Sequence, residues 1–210
     1  MKIFILILCA FLLSACEKSS VPEVELEEVA EKKKEQEPTV DNFDYMSLVD
    51  KKEFSMLKLY KGKANDMHYS EAWVNDDLVF LHKGKIGTEG ETFESGFDVN
   101  LSKEANIVKV LKPSIEAGYK DISEQRVVLL LEYKLNGSDL EKELTKRHEL
   151  QDWLNEKLGW TGLGRCDGGS IGSGTMEVAC FVVNFDVAKQ VLERDLKGTK
   201  FADFSRIYKE

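Results

Sequence analysis

Imidazole is scarce in this chain: three histidines among 210 residues, His68, His82 and His148. None stands at a zinc-like spacing from a cysteine, so the pattern offers no Cys/His metal site and implies no cofactor. Nor does any of them fall into a recognisable nucleophile-base-orienter set, which argues against an enzyme. His148 falls on or beside a helix stripe, the place of a boundary residue. Positive charge is also in short supply. Lys and Arg number 29 against 38 Asp and Glu, a formal net charge of -9, whereas a phosphate backbone calls for a positive surface. Nucleic acid is therefore a poor partner on charge alone. Nucleotide loops are missing too. The run Gly168-Gly169-Ser170-Ile171-Gly172-Ser173-Gly174 leads into strand-like residues 176–183, with neither the Lys-Ser/Thr pair nor the helix that phosphate cradling needs. No small-molecule substrate is implied.

Long apolar runs are confined to the start. Lys2 precedes the apolar stretch 3–13, long enough for a secretory signal and too short for a permanent span. Its ending, Leu13-Ser14-Ala15-Cys16, resembles the bacterial lipobox. That resemblance implies cleavage after residue 15, a diacylglycerol on the Cys16 thiol and acylation of the new amino terminus. The other reading is an ordinary signal peptide cut nearby, which leaves Cys16 as a thiol. Several acyl chains tether a protein firmly where one holds it reversibly. In Gram-negative sorting an Asp directly after the lipidated Cys tends to retain the protein in the inner membrane. Glu17 stands there, which favours the outer membrane.

Removing 1–15 leaves 195 residues, room for two small domains or one medium one. Residues 16–41 read as an acidic, lipidated tether, because Ser19-Ser20, Pro22 and the mixed charges of 31–37 carry little apolar surface to offset ordering. Cys9 leaves with the signal and Cys16 is used in acylation. Cys166 and Cys180 remain in an exported chain, where disulfides are permitted. They are symmetric about Ser173, so a hairpin centred there places them opposite each other. Pairing and two buried thiols both stay open, since a slip of one residue would turn the side chains apart.

An α+β architecture is expected for the rest. Over 42–120, strand-like runs fall at 43–49, 55–60, 67–74 and 78–82, with Asn75-Asp76-Asp77 as a hairpin turn. Tyr69, Trp73, Phe93 and Phe97 supply core or near-core bulk, and a helix with the stripe Val108, Leu111, Ile115 starts after Ser102, is kinked or shortened by Pro113, and closes at Gly118. The order of these pieces, from Tyr69 to Tyr119, resembles the WGR domain. Gly84, Ile86, Gly87, Gly90, Thr92, Phe97, Ala105, Gly118 and Tyr119 fall on family-like positions, while Lys83 stands where the family has Trp and Lys85 where it has Arg. WGR domains of DNA-dependent poly(ADP-ribose) polymerases help bind broken DNA, and the Trp and Arg belong to their interaction surface. The resemblance thus implies a WGR-like sheet-plus-helix domain, with Lys83 and Lys85 as candidate interaction residues. The other reading of both lysines is a solvated strand end.

Residues 121–210 give a clearer order. The strand 126–135 places Val127, Leu129, Leu131, Tyr133 and Leu135 on one face, with Glu132 and Lys134 marking the solvent side. Ser138 with Glu141 forms a capping box, and a helix with the stripe Leu140, Leu144, His148 or Gln151, Leu154, Leu158 runs to Gly159. Strands 161–167 and 175–185, a helix capped by Asp186, and a strand 201–208 complete the series. Strand-helix-strand-strand-helix-strand suggests a ferredoxin-like sandwich domain.

Together these readings predict a non-enzymatic lipoprotein, anchored by its lipid at the bacterial envelope, that binds a protein partner. The acidic balance favours a basic partner through steering. The alternatives are an immunity lipoprotein that neutralises an incoming toxin, a structural or assembly factor of the outer membrane, and a nucleic-acid-binding WGR module.

Overall fold

Four strands along 56–96 build the first sheet. A computed structural model of the chain describes Tyr45, residues 53–135 and residues 139–210. The signal 1–15, Cys16, the tether, the rest of strand 43–49 and Ser138 lie outside the described residues. Strands β1 (Met56–Lys61), β2 (His68–Asn75), β3 (Leu78–Lys85) and β4 (Glu91–Gly96) pair in that order, each antiparallel to the next. The two-residue loop Asp76-Asp77 closes the β2–β3 hairpin and sets Asn75 against Leu78. Asp76 sits at φ 52°, a left-handed conformation that Asp tolerates better than most side chains.

Side chains alternate between the two faces of this sheet with a period of two. One face presents Leu57, Leu59 and Ala72 to helix α1 (Lys103–Glu116), whose Ile107, Val108 and Leu111 complete a small core. Ser102 caps α1 as expected, accepting from the Ala105 N–H. Pro113 removes one helical hydrogen bond, yet the helix continues to Glu116 before Gly118, at φ 87°, turns the chain out. The opposite face carries Tyr60 and Tyr69, which join the larger core together with Ile86. Phe97 is half-buried, but Phe93 is 44% exposed rather than core, because β4 is an outer strand with every residue exposed.

The larger core belongs mainly to a second four-stranded antiparallel sheet, β5 (Val127–Lys134), β6 (Gly164–Gly172), β7 (Thr175–Val182) and β8 (Arg206–Lys209), ordered β6-β7-β5-β8. Leu129, Leu131 and Tyr133 of β5 are fully buried beside Met176, Val178, Cys180 and Val182 of β7. Helices α2 (Leu140–Trp160) and α3 (Phe185–Asp195) cover them through Leu150, Leu154, Leu158, Ala188, Val191 and Leu192. Val40–Glu210 forms one compact unit that holds both sheets. The mixed α+β class is therefore as expected, with two four-stranded antiparallel sheets and three helices among the described residues.

Several local expectations need correction. The α2 stripe starts at Leu150, while Leu140 is 60% and Leu144 39% exposed. The first turns of α2 run past the core, tied by Lys146–Asp203 and Glu149–Lys200 ion pairs. Asp139 is the observed cap of α2, accepting from the Glu141 N–H, and the helix passes Gly159 to end at Trp160. Asn184, not Asp186, caps α3. Glu132 is not solvent-facing: it is buried, and Arg206, its partner in the β5–β8 register, grips both carboxylate oxygens at 3.0 and 2.6 Å.

That guanidinium holds the Glu132 carboxyl below the usual range. A depressed carboxyl contributes stability above its unfolded pKa, about 4.3, and loses it as pH falls through the folded value. Thermal midpoints of wild type and Arg206→Ala should therefore differ by a constant amount near pH 7 and converge below about pH 4. Parallel curves down to pH 3 would contradict the pairing.

Candidate functional site

Three polar residues in one row cross the first sheet: Lys58 pairs with Glu71, and Glu71 with His82. They share a face with Trp73 and Tyr69, and that face looks away from α1. The row is almost dry. The side chains of Lys58, Glu71 and His82 are 13, 5 and 1% exposed. Lys58 Nζ lies 2.7 Å from Glu71 Oε2, and His82 Nδ1 lies 2.8 Å from Glu71 Oε1. His82 Nε2 is 3.0 Å from the Tyr69 hydroxyl. Buried charges persist when they are paired; here Glu71 Oε1 is hydrogen-bonded to His82, while Oε2 meets Lys58 as an ion pair without hydrogen-bond geometry.

The row also reaches out of the sheet. Lys58 Nζ donates to the Gly159 carbonyl at 3.2 Å, and the Tyr69 hydroxyl donates to the Trp160 carbonyl at 3.1 Å. Both carbonyls belong to the last turn of α2, whose final carbonyls lack intrahelical partners and carry the negative end of the dipole. A lysine ammonium and a phenol from the first sheet thus cap the longest helix of the second half. Tyr69 has a single proton to share between His82 and Trp160. With the imidazole neutral and its proton on Nδ1, Nε2 accepts from Tyr69. With both nitrogens protonated, Tyr69 accepts from Nε2 and gives its own proton to Trp160. Burial, reinforced by the nearby Glu71 charge, pushes the Tyr69 phenol well above its ordinary pKa, so it stays a donor.

Glycines make this approach feasible. A side chain at Gly162, which sits at φ 65°, would strike the Tyr69 ring, and one at Gly90 would strike the Tyr69 hydroxyl and His82 Nε2. Gly87, at φ 82°, lies against Val187 of α3, and its N–H donates to the Thr161 carbonyl at 2.8 Å. Gly84 and Gly90 therefore serve close packing around Tyr69, and Gly87 serves packing against α3.

Beside the row opens a cleft of about 810 Å³. Residues 54–58 of β1 and its approach, Trp73 and His82 line one side, while Asn155, Trp160 and Arg165 line the other. Trp160 is 44% exposed, with its ring 4.9 Å from His82 and 6.3 Å from Trp73. Trp73 in turn stacks on Phe80 at 5.5 Å. Arg126 closes one end; its Nε is buried without a hydrogen-bond partner, and among the described residues it forms no ion pair. Arg165, by contrast, lies 3.6 Å from Asp167.

The residues singled out from sequence mostly lie elsewhere. Lys83 sits over the Phe93 ring at 4.7 Å, and Lys85 pairs with Asp66 at 3.1 Å on the surface. Neither lines the cleft. His68 is half-exposed near Asp66, and His148 is exposed beside Arg147 rather than at the margin of a buried helix stripe. Cys166 and Cys180 do form a disulfide. The turn is Ser173-Gly174, with both residues at positive φ, so its register alone would offset the cysteines by one. An irregularity between Cys166 and Gly169 restores Cys166 to Cys180. The Lys58–Glu71–His82 row had a legible signal that composition obscured. A two-residue turn at Asp76-Asp77 by itself pairs residue 71 with residue 82. Among the described residues no group of His, Cys, Asp and Glu is arranged to hold a metal ion.

Comparison with protein-family models, curated proteins and solved structures finds no match for this chain.

Proposed function

We propose that this protein is a lipid-anchored, non-enzymatic binding protein of the bacterial envelope, and that its cleft grips a segment of a protein partner. The observation that carries the reading is the composition of that cleft. Trp and Arg, the residue types that dominate protein interfaces, converge there as Trp73, Trp160, Arg126 and Arg165. Exposed Met56 and Trp160 stand at its margins, and partly exposed large apolar groups beside a groove mark contact sites. His82, the one imidazole in the cleft, is committed to Glu71 and Tyr69, which fits anchoring of structure better than acid–base work.

Cys16 acylation, with delivery to the outer membrane, remains the proposed address. The Cys166–Cys180 disulfide supports an oxidising compartment. The strand order β6-β7-β5-β8 supports a ferredoxin-like reading of the second half, and the glycine turns 84–90 a WGR-like reading of the first. With the aromatic and arginine of that family replaced by Lys83 and Lys85, nucleic acid is not the proposed ligand.

The test is copurification from detergent-solubilised native membranes. Trp160→Ala should cost the partner about 2 kcal/mol, some thirtyfold in Kd, as interface tryptophans do. The thermal midpoint should fall as well, because the ring packs on His82 and Trp73, so recovery is compared well below both midpoints. Undiminished recovery with the variant would contradict the placement of the site.

A further inference from the structure

We propose that the outer edge of β1 accepts an extended peptide segment as a fifth strand, with an acidic group of that segment at Arg126. This deepens the binding-protein reading and rests on it. Tyr60 exchanges two main-chain hydrogen bonds with Lys120, each 2.8 Å, so its N–H and C=O point away from β2. In an antiparallel ladder those directions repeat every second residue. The N–H and C=O groups of Lys58 and Met56 therefore face the same way, and among the described residues none of the four has a partner. The neighbouring chain breaks off after this single bridge, turning away through Asp121 and the tight turn Ser123–Gln125.

That open stretch of edge is the part of β1 that lines the cleft. Exposed edges are commonly guarded by a protruding lysine, a proline or a bulge. Here the one lysine of the stretch, Lys58, points inward and is engaged by Glu71 and Gly159. Main-chain pairing would supply affinity, and side chains on alternate positions would supply specificity. Those on the cleft side enter the space bounded by Met56, Trp73 and Trp160, which favours a bulky apolar residue. Arg126 forms no ion pair among the described residues and its Nε lacks a hydrogen-bond partner, so it favours an acidic group beside it although Asp121 also lines the cleft. A carboxylate can come from Asp or Glu within the segment or from a chain end, and the chemistry at Arg126 is the same.

The experiment uses the full chain immobilised in detergent micelles and a random nonapeptide library in free-acid and amidated forms. Wild type should enrich peptides with a bulky apolar residue at fixed spacing from a carboxylate. Enrichment from both forms assigns the carboxylate to a side chain, and enrichment from the free acids alone assigns it to the terminus; either supports strand addition once the backbone test holds. That test is Met56→Pro, which removes an N–H directed away from β2 and so spares β1–β2 pairing. It should lower retention of enriched peptides about tenfold or more. Arg126→Gln should erase the preference for the carboxylate. As a check independent of folding, N-methylation at alternate residues of an enriched peptide should abolish its binding to wild type. Equal retention by Met56→Pro and full binding of N-methylated peptides would overturn the proposal, as would a library with no enriched sequence. A native partner whose capture depends on Trp160 but survives Met56→Pro would overturn strand addition and leave the binding-protein reading standing.

Discussion

Glu71→Ala should destabilise the fold by about 3–5 kcal/mol, the largest single-residue effect expected in this protein. The substitution leaves the Lys58 ammonium and the His82 ring buried beneath the end of α2 with their shared partner gone. It also frees Lys58 from the position in which it caps the Gly159 carbonyl. Against a total of about 5–15 kcal/mol for a typical domain, that loss is a large fraction. Urea unfolding at pH 7 measures it directly. Glu71→Gln, which keeps the shape and one acceptor but removes the charge, should fall between wild type and alanine. Simultaneous replacement of Lys58 and Glu71 by methionine should recover much of the loss, because apolar isosteres of a buried pair are often neutral or better. A Glu71→Ala effect under about 1 kcal/mol would show that the row is wet and its charges weakly coupled.

The second large effect is loss of the Cys166–Cys180 bond. The two residues are 14 apart in sequence, and closing a loop of about that size restrains the unfolded chain by roughly 3 kcal/mol. Cys166→Ala with Cys180→Ala should lower stability by about that amount, and reduction of wild type should give a similar shift. Both sulfurs are buried in the larger core, so the two alanines add a small cavity cost. The cost should be felt in the hairpin first, as faster amide exchange in β6, which lies at the edge of its sheet. Unchanged exchange in β6 after reduction would mean that the Cys166–Gly169 irregularity is held by the Asn155 side chain alone, which accepts from the Cys166 N–H at 2.6 Å.

Much of this fold could be read from local chemistry. The turn residues Asp76 and Gly118, the Ser102 cap and the apolar face of β5 formed by Leu129, Leu131 and Tyr133 each act through their own backbone or nearest neighbours, and each fell where expected. Elements that depend on distant packing did not. Leu140 and Leu144 continue a helical stripe, yet both are exposed among the described residues, because the core of the second half begins a turn and a half later at Leu150. Glu132 alternates like a solvent-side residue, and only the return of β8 seventy-four positions on covers it with Arg206.

The cleft was hidden for a related reason. Glutamate, lysine and histidine in strands ordinarily signal a solvated face, and these three become interior only when α2 delivers Gly159 and Trp160 onto them. The hairpin turn already fixed residue 71 opposite residue 82. What no local rule supplied was the body that would bury the pair. Lys83 and Lys85 drew attention through their place beside the glycines, whereas the working part of that loop is its closeness to Tyr69.

The central claim is that the seam between β1 and the end of α2 is where a partner sits. A photo-crosslinking aromatic amino acid placed at position 160, in the native host and in intact envelopes, tests it most directly. The same residue placed at Lys112, on the outer side of α1, is the comparison, since Lys112 is exposed and outside the cleft. The account predicts one discrete adduct from position 160 that is lost in the Met56→Pro or Arg126→Gln background, and none from position 112. An adduct from 112 with none from 160 would contradict it.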